Sequence, residues 1–143
     1  MHLFAAMLLS LIAVVGTTAL HFSGVQRLDR LARSAKHAYP ALLVVICGLI
    51  AFHAMEIATY ATIFWLSDGP LGLGDFVGRS PRSALDYFYY SAEAYASLGY
   101  GDVTPTGQMR LIASIAPLNG ILLLAWSGSF LFSLVEDWRG RAP

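Results

Sequence analysis

Ser97-Leu98-Gly99-Tyr100-Gly101-Asp102 is the stretch whose reading decides the fold. A backbone that points several successive carbonyls the same way must alternate between right-handed and left-handed dihedrals, and glycine enters the left-handed region without steric cost. Gly99 and Gly101 supply that freedom at alternate positions. The carbonyl oxygens of Ser97, Leu98, Gly99 and Tyr100, with the Ser97 hydroxyl, would then form rings able to replace the water around a dehydrated monovalent cation when several copies of the chain meet at one axis. A Gly-Tyr-Gly also fits an ordinary turn, so the flanking sequence has to discriminate.

The flanks are apolar. Of 143 residues, 57% are hydrophobic and 13% charged, and the mean hydropathy is +0.61, which places the chain among membrane proteins with room for one domain. Nine basic and nine acidic residues balance, so no nucleic-acid partner is expected. Cys47 lies alone in an apolar run, with neither a disulfide partner nor metal-ligand spacing.

Upstream of the loop, Arg82 to Ala96 carries no glycine or proline after the helix-start pair Ser80-Pro81. This predicts a helix over 81–96, long enough to enter a bilayer halfway and too short to cross it. Its C-terminus would aim partial negative charge toward a cation. Further upstream, Ser67 to Ser80 is glycine-rich; Gly72-Leu73-Gly74-Asp75 mimics a degenerate loop of the same kind, but no long helix precedes it, so 67–80 reads as an extracellular turret. Before it, 41–66 predicts an outer helix begun after Pro40. Glu56 is an intramembrane acid in that helix with His53 one turn before it. Such a carboxyl needs a partner or a proton, and depth counting makes Asn119 its candidate partner.

The first 22 residues predict another span, because Leu3 to Phe22 carries no charge. A cleaved signal peptide is the rival, disfavoured by the missing basic start. His2 and His21 would sit at its two interfaces. Residues 23–40 read as a cytoplasmic basic amphipathic linker, with Val25, Leu28, Leu31 and Ala35 toward lipid and Arg27, Arg30, Arg33 and Lys36 toward anionic head groups. A voltage sensor is not expected, because one span precedes these cations. Their position puts the N-terminus outside and, after the third span, Arg139 and Arg141 inside.

Downstream, Leu111 to Val135 is charge-free and predicts an inner helix over 108–136, bent at Pro117 and Gly120. Ile121, Leu124, Gly128 and Phe132 share a face able to line a central pathway, with Phe132 as a candidate dewetting gate. Eight residues follow Val135, so no regulatory domain is expected there. Histidines 2, 21, 37 and 53 are too scattered for a metal site on one helix, and no nucleophile-base grouping suggests an enzyme.

These residues resemble the potassium-channel pore family, whose signature Thr-Val-Gly-Tyr-Gly-Asp is matched by Ser97 to Asp102 with two substitutions. The resemblance covers a pore domain over 41–138 and extends to Tyr89, Tyr90, Ser91 and Glu93, at the spacing of that family's pore-helix aromatics, serine and glutamate. It implies an all-α membrane protein: three transmembrane helices, a re-entrant pore helix and a selectivity-filter loop, 97–102, between the second and third, assembled as a homotetramer. The resemblance also implies that Tyr89 and Tyr90 brace the filter, that Glu93 and Asp102 share a proton behind it, that Gly120 is the hinge, and that potassium is the permeating ion with no other cofactor. The setting would be a prokaryotic plasma membrane. Ser97 lacks the methyl that stiffens threonine and Leu98 lacks β-branching, which leaves a weakly selective sodium and potassium channel as the alternative. A non-conducting accessory subunit is a third possibility.

Overall fold

The structure, a computed structural model, describes residues 1–79 and 81–140. Ser80, the expected helix-start residue, and Arg141, one of the expected interior cations, lie outside the described residues. The order is α1 (His2–Ser34), α2 (Ala38–Asp68), β1 (Phe76–Gly78), α3 (Ala84–Tyr95), β2 (Val103–Pro105) and α4 (Met109–Arg139). Helices α1, α2 and α4 are long and apolar enough to cross a membrane; α1 packs on both α2 and α4, and α3 is held between α2 and α4.

Where the sequence divides into a span over 1–22 and a linker over 23–40, α1 runs unbroken for 33 residues. No proline falls inside it, and its two glycines, Gly16 and Gly24, do not stop a helix that tertiary packing supports. Gly24 is instead a point of helix contact: a Cβ there would lie 2.8 Å from the Phe52 ring. Leu28, expected toward lipid, is buried with Ala32, Val45, Leu49 and Leu134. The buried face of α1, Ala6, Ser10, Ala13, Thr17, His21, Gly24, Leu28 and Ala32, recurs every three or four residues and is mostly small, which lets the backbones approach. His21 belongs to this face and not to an interface with solvent.

Helix α2 begins at Ala38 and not at 41, and it ends at Asp68 and not at 66. Pro40 is tolerated in its first turn because an N–H there would have no helical partner. Helix α3 starts three residues later than predicted, since the operative cap is Ser83. The Ser83 hydroxyl accepts from the Asp86 N–H, while the Asp86 carboxylate accepts from the Ser83 N–H at 2.9 Å and the Arg82 N–H at 3.0 Å. Those amides, Arg82 first, hold the Asp86 carboxyl below the usual carboxylate range, so this end of α3 is stabilised at neutral pH and loses that support only as acidification passes below the usual range. Ser83→Ala is expected to destabilise the chain by about 1 kcal/mol in a thermal melt.

A two-stranded sheet was not anticipated in the turret or after the loop. Antiparallel β1 and β2 pair Phe76 with Pro105, Val77 with Thr104 and Gly78 with Val103. Three-residue strands show no alternation from which they could be read. Helix α4 passes through Pro117 without interruption and extends to Arg139, beyond the predicted end at 136.

Two apolar clusters result. One gathers Tyr60, Phe64, Phe76, Tyr90, Tyr95 and Ile112 around α3 and the sheet; the other gathers Leu28, Val45, Leu49 and Leu134 toward the opposite end of α1 and α4. Between them in all three long helices lie the buried polar residues His21, Glu56 and Ser127.

Candidate functional site

The C-terminus of α3 sets the conformation of the loop that follows. The Ser97 N–H donates to the Ala94 carbonyl at 3.1 Å and the Leu98 N–H to the Glu93 carbonyl at 2.9 Å, the double bond of a Schellman cap. That cap requires a left-handed residue, and Ser97 takes the position with φ 58°. Serine, with no branch at Cβ, enters this region at less cost than threonine would. Gly99 at φ 60° and Gly101 at φ 79° continue the alternation expected of them. Sequence reasoning placed Ser97 in the loop but missed its left-handed backbone, because glycine is the usual occupant of such a cap.

The loop is tethered on one side by α3. The Gly101 N–H donates to Glu93 Oε1 at 3.2 Å, and the Tyr89 hydroxyl donates to the Asp102 carboxylate at 3.4 Å. Partial burial, then the Asp102 and Glu93 charges, push the Tyr89 phenol up. Among the described residues no hydrogen bond joins the Glu93 and Asp102 carboxyls, and Glu93 Oε2 is buried without a hydrogen-bond partner. Tyr89 stacks on Tyr100, with ring centroids 6.3 Å apart, and Tyr90 is buried edge-on against Phe64 and Phe76, each at 4.9 Å. A cleft of about 500 Å³ behind the loop is lined by Tyr90, Glu93, Ser97, Gly99, Gly101 and Pro117.

On the other side the loop is anchored by the turret. The Arg79 N–H donates to the Asp102 carbonyl at 2.9 Å, the Thr106 N–H to the Asp75 carbonyl at 2.8 Å, and the Gln108 N–H to the Leu73 carbonyl at 2.7 Å. Gly74 lies so close to the Thr106 carbonyl that a Cβ would come within 2.2 Å. The Gly72-Leu73-Gly74-Asp75 stretch is thus a clamp on the loop's exit. The Tyr87 hydroxyl donates to Asp68 Oδ2 at 2.5 Å, joining α3 to the end of α2; burial, followed by the Asp68 carboxylate, pushes that phenol up to about 12.

Leu98 and Tyr100 are 56% and 65% exposed in the isolated chain, and Phe132 is 71% exposed. Ile121, Leu124 and Gly128 share this open face of α4. Gly120 faces the other way: a Cβ on it would lie 2.1 Å from the Tyr95 carbonyl oxygen. Its smallness is required by this close packing against α3.

Glu56 and Asn119 are not partners. The Asn119 amide donates to Thr17 Oγ1 at 2.6 Å and to the Tyr60 hydroxyl at 3.1 Å. Glu56, fully buried, meets His21 Nδ1 through Oε1 at 2.9 Å and His53 Nδ1 through Oε2 at 2.9 Å, and accepts from the Tyr95 hydroxyl. His53 Nε2 and His21 Nε2 both reach Ser127 Oγ, at 2.9 Å and 3.4 Å. Three helices meet at this carboxyl and α4 joins through Ser127 and the two imidazoles, an arrangement that the scatter of histidines along the sequence conceals. Folding the α1–α2 hairpin about residues 35–37 puts positions 21 and 53 at nearly the same depth, the signal that would have found the pair. Arg27, Arg30, Arg33 and Lys36 are all exposed. Arg33 is engaged by Asp29 at 2.9 Å and Asp137 of α4 at 3.0 Å.

A family profile described as "Ion channel" matches residues 41–137, from the start of α2 nearly to the end of α4. An uncharacterized membrane protein of Bacillus subtilis, YdjJ, is 26% identical over 89 residues, covering 57% of this chain. The chain spans about a quarter of that relative's length, 26%. No solved structure matches.

Proposed function

The chain belongs to the ion channel family, and from that premise we propose that four copies assemble around one axis and conduct potassium passively through the 97–101 loop. The observation that carries this reading is the alternation of left-handed backbone at Ser97, Gly99 and Gly101, the conformation that lets carbonyls of Ser97, Leu98, Gly99 and Tyr100 face one line. One loop per chain makes one wall, so a closed ring needs several chains. The exposure of Leu98, Tyr100, Ile121 and Phe132 supports assembly, since these apolar side chains lie on the loop and on one face of α4. In the assembly α3 is the re-entrant pore helix. Glu93, Tyr89, Tyr90 and Asp102 brace the loop from behind, and Phe132 narrows the pathway at its far end.

The cations at the C-terminal ends of α1 and α4 favour a cytoplasmic position for both, with the N-terminus outside. Arg27, Arg30 and Lys36 are then the side chains that meet anionic lipid, while Arg33 is held by carboxylates. Potassium is the permeating ion, and no catalytic role is assigned.

Potassium-loaded liposomes containing the pure protein are expected to accumulate rubidium. Equal sodium and potassium permeability would replace the selective reading with a weakly selective cation channel, which the mobile Leu98 side chain favours over a β-branched one. Stable tetramers with no flux at any pH, voltage or lipid composition would indicate a non-conducting subunit.

A further inference from the structure

We propose that His21, His53, Glu56, Tyr95 and Ser127 form a proton-binding site inside the helical bundle, holding one proton more than two neutral imidazoles and an ionised carboxyl carry. Half of its imidazoles come from α1, which lies outside the matched residues 41–137. The inference does not depend on what the loop conducts.

Counting hydrogens makes the case. His21 Nδ1 to Glu56 Oε1, His53 Nδ1 to Glu56 Oε2, Tyr95 hydroxyl to Glu56 Oε2, His53 Nε2 to Ser127 Oγ and His21 Nε2 to Ser127 Oγ are five hydrogen bonds, and each takes one hydrogen. The Tyr95 oxygen also lies 3.0 Å from His53 Nδ1 and shares the hydrogen that ring gives to Glu56. Two neutral rings, one serine hydroxyl and one phenol bring four. With four, one bond is left as two facing lone pairs in a buried site, whichever tautomers are chosen. A fifth hydrogen satisfies every bond, whether written as an imidazolium facing a carboxylate or as a carboxylic acid facing two neutral rings. Ser127 accepts from one ring and donates to the other, so the hydrogens along the two rings can shift together across its hydroxyl.

Charge gives the same answer independently. Glu56 and His21 are fully buried, and His53 is nearly so. Around them α1 presents only His21 and the Thr17 hydroxyl, α2 adds Tyr60, α3 adds Tyr95, and α4 presents Ser127, Asn119 and the Trp126 ring. Among the described residues no lysine or arginine is paired with Glu56. A lone carboxylate there costs several kcal/mol; one proton makes the cluster neutral. A divalent cation on the same His, His and Glu donors, whose ligand atoms lie within 4.8 Å of one another, would leave a net charge of one in an apolar layer, which is why the proton is the ligand assigned.

The site joins all four α-helices, and its Tyr95 member sits two residues before Ser97. The proton therefore fastens α1 to the base of the loop.

Solid-state NMR of the full chain in bilayers, with nitrogen-labelled histidine and carbon-labelled glutamate, tests this at pH 7.5. The expected spectrum contains, per chain, either one imidazolium with a Glu56 carboxylate or a protonated Glu56 with two neutral buried rings. Two neutral rings beside an ionised Glu56 would overturn the proposal, and so would one zinc per chain in metal analysis of the same sample. Glu56→Gln brings its own N–H and no charge, so its excess-proton signal is expected to vanish; persistence of that signal would also overturn the assignment. If the variant fails to assemble, the wild-type spectrum and metal content decide.

Discussion

Gly101→Ala is expected to abolish rubidium uptake while leaving the assembled protein and its melting temperature close to those of the parent chain. At Gly101, with φ 79°, an L side chain is strained by about 1–2 kcal/mol whatever its surroundings. If four chains contribute, about 4–8 kcal/mol stands against the conducting backbone. The chain escapes by turning the peptide over, which swings a carbonyl out of line. Nothing in the chain itself lies within 4 Å of the added Cβ at either Gly99 or Gly101, so within each chain the damage comes from the dihedral angle and does not spread into the core. Gly99→Ala, at φ 60°, follows the same course. Gly16→Ala provides the comparison. Open space also surrounds Gly16, but it sits within α1, where alanine is preferred by about 1 kcal/mol, so flux should persist and stability should rise slightly. Flux retained in Gly101→Ala would mean that the alternating backbone is not the conducting element.

How far the sequence can be read depends on whether a feature is local. The alternation at Gly99 and Gly101 was legible because it is demanded by two residues and their immediate neighbours. The three long helices were legible because apolar runs of their length have few other uses. Their ends were less so: a cap is decided by which side chain reaches which amide, and Ser83 with Asp86 displaced the Ser80-Pro81 signal. The polar layer between the apolar clusters was misread by one helical turn. Asn119 meets Tyr60, four residues beyond Glu56 and about 6 Å along α2. Depth counting from one membrane surface cannot resolve that difference in tilted helices. Glu56 in turn found one of its partners, His21, on α1, a helix whose buried face becomes apparent only once Ala6, Ala13, Thr17, His21, Gly24 and Leu28 are aligned as one stripe. Treating residues 23–40 as a separate element cut that stripe in two.

Gly120→Ala is expected to act on the opposite property, lowering stability by about 3 kcal/mol or more per chain and losing flux as a consequence of unfolding or disassembly. The new methyl would lie 2.1 Å from the Tyr95 carbonyl oxygen, 2.9 Å from its carbonyl carbon and 3.0 Å from its Cγ. Two of these are backbone atoms, so no side-chain rotation relieves the overlap, and forced overpacking costs about 1–3 kcal/mol or more even where neighbours can adjust. Tyr95 cannot retreat freely. Its hydroxyl donates to Glu56, its ring lies 6.0 Å from that of His53, and its backbone sits directly after the Glu93 and Ala94 carbonyls that cap the helix into Ser97. Any movement that clears Gly120→Ala must therefore stretch the buried polar cluster or displace the loop. This predicts less-than-additive behaviour in a double-mutant cycle: Gly120→Ala combined with Glu56→Gln should cost at least about 1 kcal/mol less than the two separate losses together, because both substitutions act through Tyr95. Gly120→Ala combined with Gly16→Ala, which shares no partner with it, should add within about 0.5 kcal/mol. Melting temperatures of the assembled protein in one detergent measure all five variants. A Gly120→Ala chain as stable as the parent would show that α3 and α4 do not approach this closely, and with that the link from the polar cluster to the loop would be lost.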